Sequence, residues 1–92
     1  MVGLQYRREI ESDTLFVFPG IGESDSFHSE NVPEPFDIAF LDRYGNVLAV
    51  YRMTPTRDVV KTPERTDMAL EAKAGELARW GIVNGAVVNL KL

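Results

Sequence analysis

The sequence predicts a mainly β protein, a small antiparallel β-sandwich or barrel-like domain with one short helix, and three features carry that expectation. Two apolar runs, Ile38-Ala39-Phe40-Leu41 and Val47-Leu48-Ala49-Val50-Tyr51, flank the turn-forming stretch Asp42-Arg43-Tyr44-Gly45-Asn46. That is the pattern of a β-hairpin. An alternating segment, Met68-Ala69-Leu70-Glu71-Ala72, follows further along, and helical character is confined to the stretch between Gly75 and Gly81.

Taken in order, Leu15-Phe16-Val17-Phe18 is closed by Pro19-Gly20. Its aromatic content and abrupt ending suit a buried strand. Residues 20–35 are rich in Gly, Ser, Pro and acids without periodicity, which predicts a long surface loop of the kind that often carries function. In the hairpin, Asp42 opens the turn by bonding to nearby backbone, and Gly45 supplies a positive φ. The hairpin strands are apolar on nearly every residue, so burial on both faces is expected. Residues 54–66 contain Pro55 and Pro63 and show no period, which predicts a second long connection. In the segment 68–72, alternation places Met68, Leu70 and Ala72 inward and Glu71 outward. Leu77 and Trp80, three apart, would share the helix face that packs on the sheet, with Gly81 as the left-handed stop. Asn84-Gly85 predicts a turn, and the alternation of 86–92 a last strand ending at Leu92.

A chain of 92 residues is expected to form one domain, 1–92, and a domain of that size buries roughly 60–65% of the surface its unfolded chain exposes. There is no cysteine to supplement the core with a disulfide or a thiolate metal cage. The net charge of −4 argues against nucleic-acid binding by phosphate neutralisation. Every charged side chain from Glu9 to Asp42 is acidic, whereas Arg43, Arg52, Arg57, Lys61, Arg65, Lys73, Arg79 and Lys91 all come later. No stretch has the length of a signal peptide's apolar region or of a membrane span, so a soluble, cytoplasmic protein without membrane partners is the default expectation.

The stretch Pro35-Phe36-Asp37-Ile38-Ala39-Phe40-Leu41-Asp42, the hairpin glycine and Ala69-Leu70-Glu71-Ala72-Lys73-Ala74-Gly75 resemble the DUF 192 family (domain of unknown function 192). The resemblance runs from Gly3-Leu4 and Arg7, through Leu15-Phe16-Val17-Phe18, to Gly81-Ile82 and Gly85, almost the whole chain. It implies a compact, mostly β domain with a little helix and no established biochemical activity. Members typically carry a Trp-Met-Lys-Asn-Thr-like block before the proline. Here that place reads His28-Ser29-Glu30-Asn31-Val32, which retains Asn31, together with Pro35 and Asp37. Members also commonly have a strand and helical residues upstream of the Gly-Leu. The resemblance therefore implies either a chain lacking the family's usual first strand and helical residues or a true start further upstream. A sheet edge exposed by that loss could pair with a second copy, giving a homodimer.

Asn31, Asp37 and Glu71 are the ligand-binding candidates, with His28 beside them. Asp37 sits between Phe36 and Ile38, where a carboxylate is drawn away from water and needs a partner; it orients a ligand or ties the loop to backbone N–H groups. Glu71 would face the same region or form an ion pair with Arg7 or Arg52. His28 is the sole histidine and the one side chain that ordinarily titrates near neutrality. Glu23, Asp25, Glu30 and Glu34 are carboxylates on a flexible stretch that would suit calcium, without the EF-hand spacing. Arg52, Arg57, Lys61 and Arg65 would collect an anion or form a solvated face. No catalytic residue, cofactor or metal site is assigned. The sequence points to a non-catalytic accessory domain binding a small polar ligand or a protein partner. The alternative is a small hydrolase-type enzyme using His28 and a loop carboxylate, with or without a divalent cation.

Overall fold

The computed structural model describes residues 13–21, 26–28, 32–55 and 59–89. It contains β1 (Leu15–Pro19), β2 (Ser26–His28), β3 (Phe36–Leu41), β4 (Val47–Met53), β5 (Val59–Lys61), β6 (Met68–Lys73) and α1 (Glu76–Arg79). β1, β6, β3 and β4 lie side by side in that order in one antiparallel sheet, and β2 pairs with β5 in a second. The protein is therefore mainly β, and among the described residues its two antiparallel sheets do not close into a barrel.

The side-chain period of two divides each central strand between two cores. On one face Phe36, Ile38 and Phe40 of β3 meet Ala69 of β6, with Phe16 and Phe18 of β1 beside them. Phe27 of β2 and Val60 of β5 close this face from above, together with Ile21 and Val32. The Phe27 ring stands edge-to-face against Phe18 at 5.9 Å and Phe40 at 5.4 Å, the arrangement favoured by the ring quadrupole. On the other face Ala39, Leu41, Leu70 and Ala72 pack under Leu77 of α1 and Ile82. All six residues of β3 are buried, which explains why its sequence does not alternate.

Several sequence expectations change once neighbours are known. Among the described residues β4 is an edge strand, so the burial on both faces expected of the hairpin holds for β3 and not for β4, whose Tyr51 and Arg52 are exposed. The expected loop 20–35 contains β2 and the buried Ile21, Phe27 and Val32, and the expected connection 54–66 contains β5. Strands of three residues are too short to display a period. Glu71, expected to point outward, is 6% exposed, because β6 lies between β1 and β3 with both faces covered. Trp80, expected to anchor the helix, is 37% exposed with the Arg79 guanidinium 5.5 Å from its ring centre. A helix of four residues presents one apolar side chain to the sheet, and that is Leu77. In place of a continuous last strand the described residues form one bridge, Asn46 to Val87. Leu92 lies outside the described residues, as do residues 1–12, on which the first-strand and sheet-edge expectations bear.

The hairpin turn is built as its sequence predicts. Asp42 Oδ1 accepts from the backbone N–H of Tyr44 and of Asn46, and Oδ2 from the Asn46 amide, each at 2.9 Å. Gly45 has φ 87°, and a Cβ built there would lie 2.1 Å from the Val88 carbonyl oxygen, while Val88 N–H donates to Gly45 O at 2.8 Å. Glycine is required both by the backbone angle and by the close approach of the C-terminal segment. Gly45→Ala is expected to lower stability by about 2–4 kcal/mol, read as a lower urea midpoint. Phe40→Ala, which empties the contact between β3 and β2, should cost about 3–5 kcal/mol in the same measurement.

Candidate functional site

Asp37 occupies the β3 position directly opposite Arg52 of β4 and Ala72 of β6. Its carboxylate is buried, and it accepts from Arg52 Nε at 2.8 Å, Arg52 Nη2 at 3.1 Å and Gly75 N–H at 2.8 Å. The left-handed backbone of Gly75 (φ 89°) turns the chain after β6 so that this N–H points back to the sheet. Hydrogen bonding to Asp37, reinforced by its charge, raises the Arg52 pKa above its ordinary value. One carboxylate thus joins the central strand, the edge strand and the entry to α1.

Glu71 lies one residue before Ala72, opposite Ile38 and Phe16, and so projects from the other face of the sheet. Asp37 and Glu71 do not converge. Arg52, expected as a partner of Glu71, is the partner of Asp37. His28 stands in β2 opposite Val59, in the ribbon whose Phe27 covers the face that carries Glu71. Asn31 lies outside the described residues, as do Glu23, Asp25, Glu30, Arg7 and Arg57. Glu34 is 3.8 Å from Lys73 Nζ. Among the described residues, no three His, Cys, Asp or Glu side chains gather closely enough to hold a metal ion.

A second carboxylate, Glu76 of α1, is also engaged in holding elements together. It accepts from Arg79 Nε at 2.7 Å and from Asp13 N–H at 3.4 Å, and Arg79 Nη2 donates to both Glu76 and Asp13. Bonding to Asp13 first and Glu76 second raises the Arg79 pKa. The start of β1 is thereby fastened to the helix.

One cleft was not anticipated from sequence. It has a volume of about 180 Å³ and lies between the turn 42–45, the junction of Asp67 and Met68, and the C-terminal Val88 and Asn89. Its walls are tied to one another by backbone bonds, Asp67 N–H to Leu41 O at 2.8 Å and Val88 N–H to Gly45 O at 2.8 Å, and Asp67 O also accepts from Ile21 N–H at 3.0 Å. Tyr44 stands on its rim, 69% exposed, with the Arg43 guanidinium 4.7 Å from the ring centre and bonded to its hydroxyl. The sequence signal was the tyrosine itself, a large ring placed in a tight turn. Asp42, below it, has its pKa lowered chiefly by the Asn46 side-chain bond, with help from backbone N–H groups.

These features define a two-sheet β domain in which the Asp37, Asp42 and Glu76 carboxylates brace the fold beside a small polar cleft. The chain belongs to the DUF192 family (Uncharacterized ACR), which it matches over residues 1–90. It is similar to the crystal structure of a protein of unknown function from Novosphingobium aromaticivorans DSM 12444, with 25% identity and a TM-score of 0.78. The match covers 97% of this chain and 66% of that protein's. No curated protein matches the chain. Among the described residues no helix is long and apolar enough to cross a membrane.

Removing Arg52 leaves a buried carboxylate short of two donors. Because the guanidinium is itself half exposed, Arg52→Ala is expected to cost only about 1–3 kcal/mol in guanidinium unfolding, with Arg52→Lys in between. For Asp42 the folded-state pKa is depressed, so its contribution is full above the ordinary carboxylate value and is lost as pH falls through the folded value. On acidification the wild-type urea midpoint should fall further than that of Asp42→Asn. An equal fall in both would show that the turn carboxylate adds nothing.

Proposed function

We propose that the protein is a non-catalytic binding domain that takes a small polar ligand in the cleft between turn 42–45, Asp67 and Asn89. The carrying observation is a division of labour among the polar groups. Asp37, Glu76 and Asp42 are each saturated by bonds that hold strands, helix and turn. Acid–base catalysis requires an accessible proton-transfer group with an orienting partner, and these carboxylates are committed elsewhere. Asp67 and Asn89 are exposed at the cleft, by contrast, Asp67 on backbone bonded to Leu41 and Ile21, and Asn89 next to Val88, which is bonded to Gly45. A preformed wall reduces the ordering cost of binding.

The cleft volume of about 180 Å³ lies below the roughly 300 Å³ at which pockets enclose drug-sized molecules, which points to a ligand the size of one ring or one amino acid. Amide chemical shifts recorded while small sugars, amino acids, amines and phosphate are added separately at tens of millimolar test the reading. Changes concentrated at 42–45, 67–68 and 88–89 are expected, and Asp67→Ala combined with Asn89→Ala should remove them without moving the unfolding midpoint. Absence of any localised change across the panel would overturn the assignment.

A further inference from the structure

We infer that the ligand of this cleft is a neutral carbohydrate ring stacked on Tyr44, an inference that rests on the binding reading above and narrows it. A pyranose has two kinds of surface: a face of C–H groups that suits an aromatic ring, and an edge of hydroxyls that both donate and accept. The cleft offers counterparts to both. Tyr44, 69% exposed on the rim, presents an apolar plane, and its backbone N–H is pinned to Asp42 Oδ1 at 2.9 Å. The Arg43 guanidinium, 4.7 Å from the ring centre and bonded to the tyrosine hydroxyl, restrains the ring as well. Polar residues share the cleft with it: a carboxylate such as that of Asp67 can accept two hydroxyl protons, an amide such as that of Asn89 can accept and donate, and the Arg43 guanidinium can donate.

Other ligand classes fit this lining less well. An anion such as phosphate meets Asp42 and Asp67 against Arg43 alone, a local balance of the wrong sign. An ammonium group is attracted by the carboxylates but repelled by the Arg43 guanidinium that already lies over the ring, a repulsion a neutral ring does not meet. A wholly apolar ligand would strip water from Asp67 and Asn89 with nothing in return. A neutral polyhydroxyl ring satisfies each group and suits a cleft of about 180 Å³.

The test is a titration of the full chain, followed by amide shifts, with glucose, galactose, mannose and N-acetylglucosamine in one arm and glycinamide, putrescine and inorganic phosphate in the other. Wild type is compared with Tyr44→Ala and Tyr44→Trp, each first checked for an unchanged unfolding midpoint. At least one monosaccharide should shift residues 44, 67 and 89, with affinity falling about ten-fold in Tyr44→Ala and retained in Tyr44→Trp. If members of the second arm alone shift the cleft, or Tyr44→Ala binds sugar as well as wild type, the carbohydrate inference falls while the binding reading stands. If nothing in either arm shifts it, both fall.

Discussion

Burial of β3 and β6 on both faces is the constraint on which the rest of this protein depends. A sheet of four strands in a chain this short has little apolar surface to spare, so each face needs its own cover. The β2–β5 ribbon supplies one through Phe27 and Val60, and α1 with the following residues supplies the other through Leu77 and Ile82. The connections between the main strands are therefore not passive. They carry the second half of one core, and the segment that follows β6 carries that of the other.

Polar groups inside this arrangement act as fasteners. Asp37 sits where burial would be costly for an unpaired carboxylate, and the two-pronged bond from Arg52 and the Gly75 N–H offset that cost while fixing where α1 begins. Glu76 and Arg79 do the same for the start of β1. The C-terminal segment is drawn against the hairpin by the Val88–Gly45 and Val47–Ala86 backbone bonds. The cleft is a by-product of that closure. It forms where the turn, the start of β6 and the C-terminal segment are tied side by side without filling the space between them, which leaves accessible polar groups on a fixed frame.

Legibility followed the range of the interactions involved. The 38–51 hairpin, its Asp42 turn and Gly45 were readable because their signals lie within a few residues. β2 and β5 were not readable, since three residues cannot establish a period and their pairing partners are more than thirty positions away. Trp80 misled because helical spacing says which residues share a face but not how soon the helix ends. Asp37 was correctly read as a carboxylate needing a partner, yet the partners, Arg52 and the Gly75 N–H, follow from strand register and from a left-handed turn. Asp37 and Glu71 were grouped by chemistry, whereas the register puts them on opposite faces.

The sequence by itself determined the β class, the central hairpin, the glycine at its turn and the family, because local apolar patterning and turn chemistry constrain the backbone directly. The strand order β1-β6-β3-β4, the burial of Glu71, the pairing of Asp37 with Arg52 and the existence of a cleft beside Tyr44 were decided by the tertiary structure alone. Each of these depends on which strand lies next to which, and alternation along one strand says which residues share a face without saying what covers it.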